Sequence, residues 1–355
     1  MGILIFDAFI DRCPPREYDI MSLQALEQTA KALVRQGKGI LAADESNATM
    51  SKRLESVGLV PSEETRRSYR SAMLSTPGLE DNISGVILFD ETIRQKMDDG
   101  TLFPEHLERS GIIPGIKVDT GAKPLAGHPS ETVTEGLDGL RERCKEYFSM
   151  GARFAKWRAV ISISRDCPTE AAILVNAHAL ARYAAICQEQ GLVPIIEPEV
   201  LMAGPHTLED CASITARALS AVYSQCQIQG IQLSGTILKP NMVLPGTEAP
   251  ASSAEEVARA TSTVLNENVP SDVAGIAFLS GGQSDFDATL HLNRINQLSA
   301  NSPWPLTFSY GRALLADALG HWSKSQVKEA QSKLYHRSRM NGLASTGQWE
   351  ESQEE

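Results

Sequence analysis

None of the six cysteines in this 355-residue chain stands in a C-x-x-C pair; Cys13, Cys144, Cys167, Cys187, Cys211 and Cys226 are scattered. A disulfide framework is therefore not expected, and free thiols in a reducing compartment are. There is no long Lys/Arg block and the net charge is −11, so neither nucleic acid nor an anionic membrane surface is expected as a partner. Any anion must be held by a local cluster. No apolar run approaches the length that crosses a bilayer. The histidines, His106, His128, His178, His206, His291, His321 and His336, show no paired ligand spacing, which argues against a zinc centre, and neither metal nor other cofactor is expected. The opening stretch Met1–Arg12 lacks a basic start and is broken by Asp7 and Asp11, so it reads as neither a signal nor a transit peptide. Phe6 stands where a myristoylation site needs Ser or Thr. Residues 1–21 read as an N-terminal extension of a soluble, cytoplasmic protein, with a plastid as the alternative had a transit peptide been removed.

What the chain does have is eight short apolar runs, each followed by a segment with helical spacing. They start at Gly39, Ile83, Ile112, Ala152, Leu192, Gly235, Ala274 and Pro305, roughly 30–45 residues apart. Near-continuous apolar strands separated by helices imply a parallel sheet covered on both faces. Eight such units predict a single-domain α/β protein, a closed (β/α)8 barrel of the TIM type. Thr169–Gln190 reads as a helix stopped by Gly191, and 254–267 and 326–338 read similarly. The segment 348–355 is an acidic tail, expected to be solvated.

Nearly every run ends in charge or hydroxyl: Asp44, Lys117, Lys156 with Arg158, Glu197 with Glu199, Lys239, Ser280, and Ser309 near Arg312. In a barrel the carboxyl ends of the strands converge on one face, so these residues are expected to share a pocket. An ion-pair network plugging that mouth would desolvate many charges for little stability. Lys239, at the end of Gly235-Thr236-Ile237-Leu238-Lys239, stands beside an apolar strand where an amine is expected to serve as a nucleophile. Lys156 supplies a neighbouring cation, Glu197 or Glu199 a proton shuttle, and Asp44 a base. Arg53, Lys117, Arg158 and Arg312 exceed what that chemistry needs and suit phosphate clamps, with Ser280-Gly281-Gly282 offering backbone N–H groups. The residues alone suggest Schiff-base chemistry on a phosphorylated sugar.

The motifs Gly39-Ile40-Leu41-Ala42-Ala43-Asp44-Glu45-Ser46, Phe154-Ala155-Lys156-Trp157-Arg158, Ile196-Glu197-Pro198-Glu199, Leu238-Lys239-Pro240-Asn241, Leu279-Ser280-Gly281-Gly282-Gln283 and Ser309-Tyr310-Gly311-Arg312 together resemble class I fructose-1,6-bisphosphate aldolases. The resemblance runs over about residues 22–347 and makes that stretch one barrel. It implies that Lys239 forms the Schiff base and that Glu197 serves carbinolamine formation and dehydration. Asp44 would take the hydroxyl proton, while Lys156 and Glu199 set the charge pattern. Ser280, Gly281, Gly282, Ser309, Gly311 and Arg312 would bind the phosphate nearest the ketone, and Ser46, Thr49, Arg53 and Lys117 the distal one, with Arg158 nearby. Phosphorylated ketoses and triose phosphates are the implied ligands, and a homotetramer the implied assembly.

Two departures accompany the resemblance. Asn47-Ala48-Thr49 follows Ser46 as in plastid-type members, keeping a hydroxyl at Thr49. The last tyrosine is Tyr335, so cleavage is expected to survive, while the proton exchange on the enamine that a tail tyrosine commonly aids is expected either to be slower or to use another donor. Competing expectations are a zinc-dependent aldolase, a transaldolase-like transferase, a sedoheptulose 1,7-bisphosphate aldolase, and an inactive scaffold on the same barrel. The scaffold reading predicts loss of Lys239, Glu197 or Asp44, and all three are present.

Overall fold

The computed structural model describes residues 17–354. In chain order the elements are α1 (Glu17–Leu33), β1 (Gly39–Ala43), α2 (Asn47–Ser56), α3 (Glu63–Leu74), β2 (Ile83–Leu88), α4 (Asp90–Ile93), α5 (Phe103–Arg109) and β3 (Ile113–Lys117). The strands β4 (Gly121–Pro124) and β5 (Thr132–Glu135) come next, then α6 (Leu140–Ser149), β6 (Phe154–Ile161), α7 (Glu170–Glu189) and β7 (Val193–Val200). The chain continues through α8 (Leu208–Ile228), β8 (Ile237–Leu238), α9 (Ala254–Asn268), β9 (Gly275–Phe278), α10 (Asp285–Leu298), β10 (Leu306–Tyr310), α11 (Arg312–Trp322) and α12 (Val327–Ala344).

Each predicted apolar run forms one stave of a closed parallel barrel in the order β1-β10-β9-β8-β7-β6-β3-β2. Successive side chains alternate between the barrel interior and the helical shell. Along β6, Trp157 points outward and stacks on Tyr183 of α7 at 5.6 Å. Its neighbours Phe154 and Lys156 take the inner row, where Phe154 joins Ile40, Ile87, Val193, Ile195, Ile237 and Ala277 in one apolar cluster.

Helix α1 completes that cluster. Leu26, Ala30 and Leu33 fall on one helical face and, with Val34, pack into the amino-terminal end of the barrel. Two glycines make room for them: a Cβ on Gly85 would lie 2.5 Å from Leu33 Cδ2, and one on Gly275 2.6 Å from Val34 Cγ2. The barrel therefore has a sealed apolar floor.

Three boundaries differ from the sequence expectation. Residues 17–21, assigned to the extension, begin α1, while residues 1–16 of that extension lie outside the described residues. The β4–β5 hairpin was not expected. It is short and largely exposed, and it docks through Thr132 and Thr134, whose hydroxyls donate to the carbonyls of Val160 and Arg158 on β6. The acidic tail is tied down, with Glu355 outside the described residues. Trp349 is 4% exposed, exchanges hydrogen bonds with Asn293 of α10, and meets Phe286 edge-on at 5.5 Å. Glu354 then pairs with Arg337 and, at 3.2 Å, with His336 of α12. An apolar anchor at Trp349 and the Arg337 counter-charge pin the two ends of a segment whose residues 350–353 stay exposed, as its acidity leads one to expect.

Candidate active site

The inner row changes character along each stave. Ile40 and Ala42 give way to Asp44 just after β1, Phe154 to Lys156 and Arg158 on β6, Val193 and Ile195 to Glu197 and Glu199 on β7, and Ile237 to Lys239 after β8. Because the staves are parallel, the charged ends collect on one face opposite α1. There they line a cavity of about 1,210 Å³. The cavity wall brings together every site residue expected from the sequence: Lys239, Glu197, Asp44, Lys156, Glu199, Ser46, Thr49, Arg53, Lys117, Arg158, Ser280, Gly281, Gly282, Ser309, Gly311 and Arg312.

At its base is a buried chain of alternating charge. Lys239 Nζ lies 3.2 Å from Glu197 Oε1, Glu197 Oε2 lies 3.2 Å from Lys156 Nζ, and Lys156 Nζ lies 2.7 Å from Asp44 Oδ2. Burial alone would raise the Asp44 pKa, but Lys156 and Lys239 outweigh it and hold the carboxyl at about 2. Glu197 is likewise pushed up by burial and drawn below the usual carboxylate range by Lys156, Lys239 and Arg158. Burial opposes the Lys156 charge, yet Asp44 and Glu197 raise its pKa. Lys156 therefore stays a cation, with both carboxylates ionised around it. Glu197 is the shared counter-ion of two lysines, which gives it contact with both amines.

The flanking walls carry anion-binding chemistry. On one side α2 starts at Asn47, capped by Ser46, whose Oγ accepts from Thr49 N at 3.3 Å. Arg53, one turn on, pairs with Glu45. Lys117 pairs with Asp119 at 2.6 Å, and Arg158 with Glu199. On the other side Gly281 and Gly282 have φ of +60° and +97°, backbone that an L side chain rarely adopts. A Cβ on Gly282 would come within 3.4 Å of Arg312 Nη2. Ser309 Oγ is buried without a hydrogen-bond partner among the described residues, and Gly311 caps α11, which begins at Arg312. Helix amino termini, glycine turns and guanidinium groups all favour phosphate.

Strand-end reasoning overlooked Glu45 and Asp119, both of which line the cavity. Asp119 is buried and accepts from Lys117 Nζ, Gly121 N and Arg158 N. Its spacing of two from Lys117, equal to that of Arg158 from Lys156 and of Glu199 from Glu197, was the available signal. Asp90, Arg94, Arg143, Glu146 and Tyr147 also line the cavity. They come from α4, α6 and adjoining residues, where no strand end marks them. Among the described residues no group of His, Cys, Asp and Glu is arranged to hold a metal, and no helix is long and apolar enough to cross a membrane.

Comparison with known proteins agrees with this geometry. The family described as fructose-bisphosphate aldolase class-I matches residues 25–355. A probable fructose-bisphosphate aldolase class 1 of Xanthomonas axonopodis pv. citri is 54% identical over 333 residues, covering 93% of this chain and 99% of that protein. The muscle-type fructose-bisphosphate aldolase of Lethenteron camtschaticum is 51% identical over 328 residues, 91% of this chain and 90% of that one. Among solved structures, fructose-bisphosphate aldolase of Plasmodium falciparum, crystallised with TRAP and a small-molecule inhibitor, superposes with a TM-score of 0.91 at 46% identity, over 93% of this chain and 96% of that chain.

Proposed function

The chain belongs to the class I fructose-bisphosphate aldolase family and is a lyase, and from that premise we propose that it cleaves fructose 1,6-bisphosphate through a Schiff base on Lys239. The observation that carries the reading is Glu197 within reach of both lysine amines, between two phosphate-binding walls. In this scheme a free Lys239 amine adds to the C2 ketone. Glu197 takes the proton that Lys239 gives up in becoming that amine and returns it to the carbinolamine hydroxyl, which leaves as water, and an iminium remains. Asp44, kept ionised by Lys156, accepts the C4 hydroxyl proton as the C3–C4 bond breaks. Those bonding electrons flow into the iminium, forming an enamine and releasing glyceraldehyde 3-phosphate. Protonation at C3 and hydrolysis then release dihydroxyacetone phosphate and return the amine. The iminium is the electron sink, so the scheme calls on no metal.

Ser280, Gly281, Gly282, Ser309, Gly311 and Arg312 bind the phosphate beside the ketone in this reading. Ser46, Thr49, Arg53 and Lys117 bind the distal one, and Glu199 holds Arg158 beside it. We place the enzyme in the cytoplasm as a homotetramer, which light scattering would test directly.

Borohydride added with dihydroxyacetone phosphate is expected to fix one adduct, at Lys239. An adduct at Lys156 instead would overturn the assignment. Activity that a chelator abolishes would place the reaction in the metal-dependent class. Steady-state competition between fructose 1,6-bisphosphate and sedoheptulose 1,7-bisphosphate, which share the reacting end, defines the preferred ketose.

A further inference from the structure

Behind the Ser280–Gly282 turn stands a buried pair with no part in the scheme above, Gln283 and His291, 8% and 9% exposed. Gln283 Nε2 donates to the Ser280 carbonyl at 2.9 Å and lies 3.7 Å from Met242 Sδ. Gln283 Oε1 lies 2.6 Å from Nδ1 of His291, two turns into α10. A carbonyl oxygen only accepts, so the amide end facing Ser280 must be the NH2 group. Its oxygen then faces His291, and Nδ1 of the ring must carry the hydrogen. Burial pushes the His291 pKa down against the weaker pull of Asp287, which keeps the ring neutral. The hydrogen bonds thus form one directed relay from α10 to the turn.

The turn needs outside support. Two adjacent glycines with positive φ have no side chains to pack and retain wide backbone freedom when unrestrained. Besides the relay, the Ser280 carbonyl accepts the backbone N–H of Gln283 at 3.0 Å, and the Leu279 N–H reaches Pro240 O, next to Lys239, at 3.0 Å. The relay is therefore the only side-chain tie on Ser280 among the described residues, and through Met242 it touches the segment that carries Lys239.

We propose that His291 is a positioning residue for the ketone-side phosphate, acting through Gln283 to lock the Ser280–Gly282 turn in its anion-binding form. The proposal rests on the reading of that turn as a phosphate site. Its test is half-saturation of borohydride trapping with dihydroxyacetone phosphate and, separately, with unphosphorylated dihydroxyacetone. His291→Leu is expected to raise the half-saturating concentration about three- to tenfold for the phosphorylated ketone, the scale of one lost hydrogen bond, and to leave the other ketone unchanged. His291→Asn, whose amide can donate from near the Nδ1 position, is expected to restore it. Equal rises for both ketones, or no rise for either, overturn the relay. Arg312→Ala separates this failure from failure of the underlying reading. If it does not discriminate the two ketones, the phosphate assignment is wrong; if it does and His291→Leu does not, only the relay is wrong. Should His291→Leu not fold, Gln283→Met keeps the bulk, removes both side-chain hydrogen bonds, and is read by the same criteria.

Discussion

The two ends of the barrel are built from the same strands and obey opposite rules. At the amino-terminal end the inner row is apolar, meets α1, and excludes water; Phe154, Ile195 and Ile40 are fully buried there. Each such side chain contributes roughly 1.5–3 kcal/mol by leaving water. Two to four residues further along the same strands, the inner row is Asp44, Lys156, Glu197 and Lys239, also buried but ionisable. Desolvating those groups offsets much of their mutual attraction, so at neutral pH they stabilise the fold less than well-packed apolar side chains of the same size would. The comparison separates two jobs within single strands, with one half of each stave holding the fold and the other half holding a reactive arrangement the fold does not need.

That division can be broken by substitution at either end. The largest effect is expected at the top: Glu197→Gln removes the shared counter-ion and the proposed proton shuttle, and kcat should fall by about 10²–10⁴. Thermal unfolding measured alongside should show the barrel intact, and a variant that simply fails to fold would erase the distinction. At the floor, Phe154→Ala should cost about 3–5 kcal/mol in denaturant unfolding, with kcat nearly unchanged in the folded fraction. A Phe154→Ala enzyme of full stability and damaged turnover would reverse the roles of the two ends.

The smallest effect sharpens the comparison through pH. The folded Asp44 pKa of about 2 lies below its ordinary value of 3.8. A depressed carboxyl contributes stability that is present above the unfolded value and is lost as pH falls through the folded one, here about 2 kcal/mol between roughly pH 5 and 2. Wild-type unfolding free energy should therefore drop more steeply over that window than that of Asp44→Asn, and parallel curves would show that the charge chain has no such linkage.

The staves were legible because a strand buried on both faces must be a largely apolar run, a pattern weakest on β6, which carries Lys156 and Arg158. The site was legible because each inner row turns polar at the same end, which brings distant residues such as Asp44 and Arg312 to one cavity. Other features lacked so simple a signal. Leu26, Ala30 and Leu33 have the spacing of any amphipathic helix, and nothing local distinguishes a barrel floor from a surface helix. The β4–β5 hairpin is largely polar and docks through threonine hydroxyls. Glu350 and Glu351 are exposed as their acidity implies, but the anchoring of that end by Trp349 and the distant Arg337 had no local signal. The His291–Gln283 relay depends on a contact between one helix and one turn that no strand period reports.

The barrel's closing seam pairs its first stave with its last, Ile40 with Ser309 and Leu41 with Tyr310. During synthesis β1 leaves the ribosome on the order of tens of seconds before β10 exists. Until then the sheet has two open edges, each able to pair with another chain. Ser309 and Arg312 arrive with that final stave, so the nascent protein cannot complete the proposed ketone-side cradle before the seam is available to close. Ligand capture at that cradle is in this sense a receipt for a finished barrel, and delay between the first and last staves is the interval in which chaperone cover matters most.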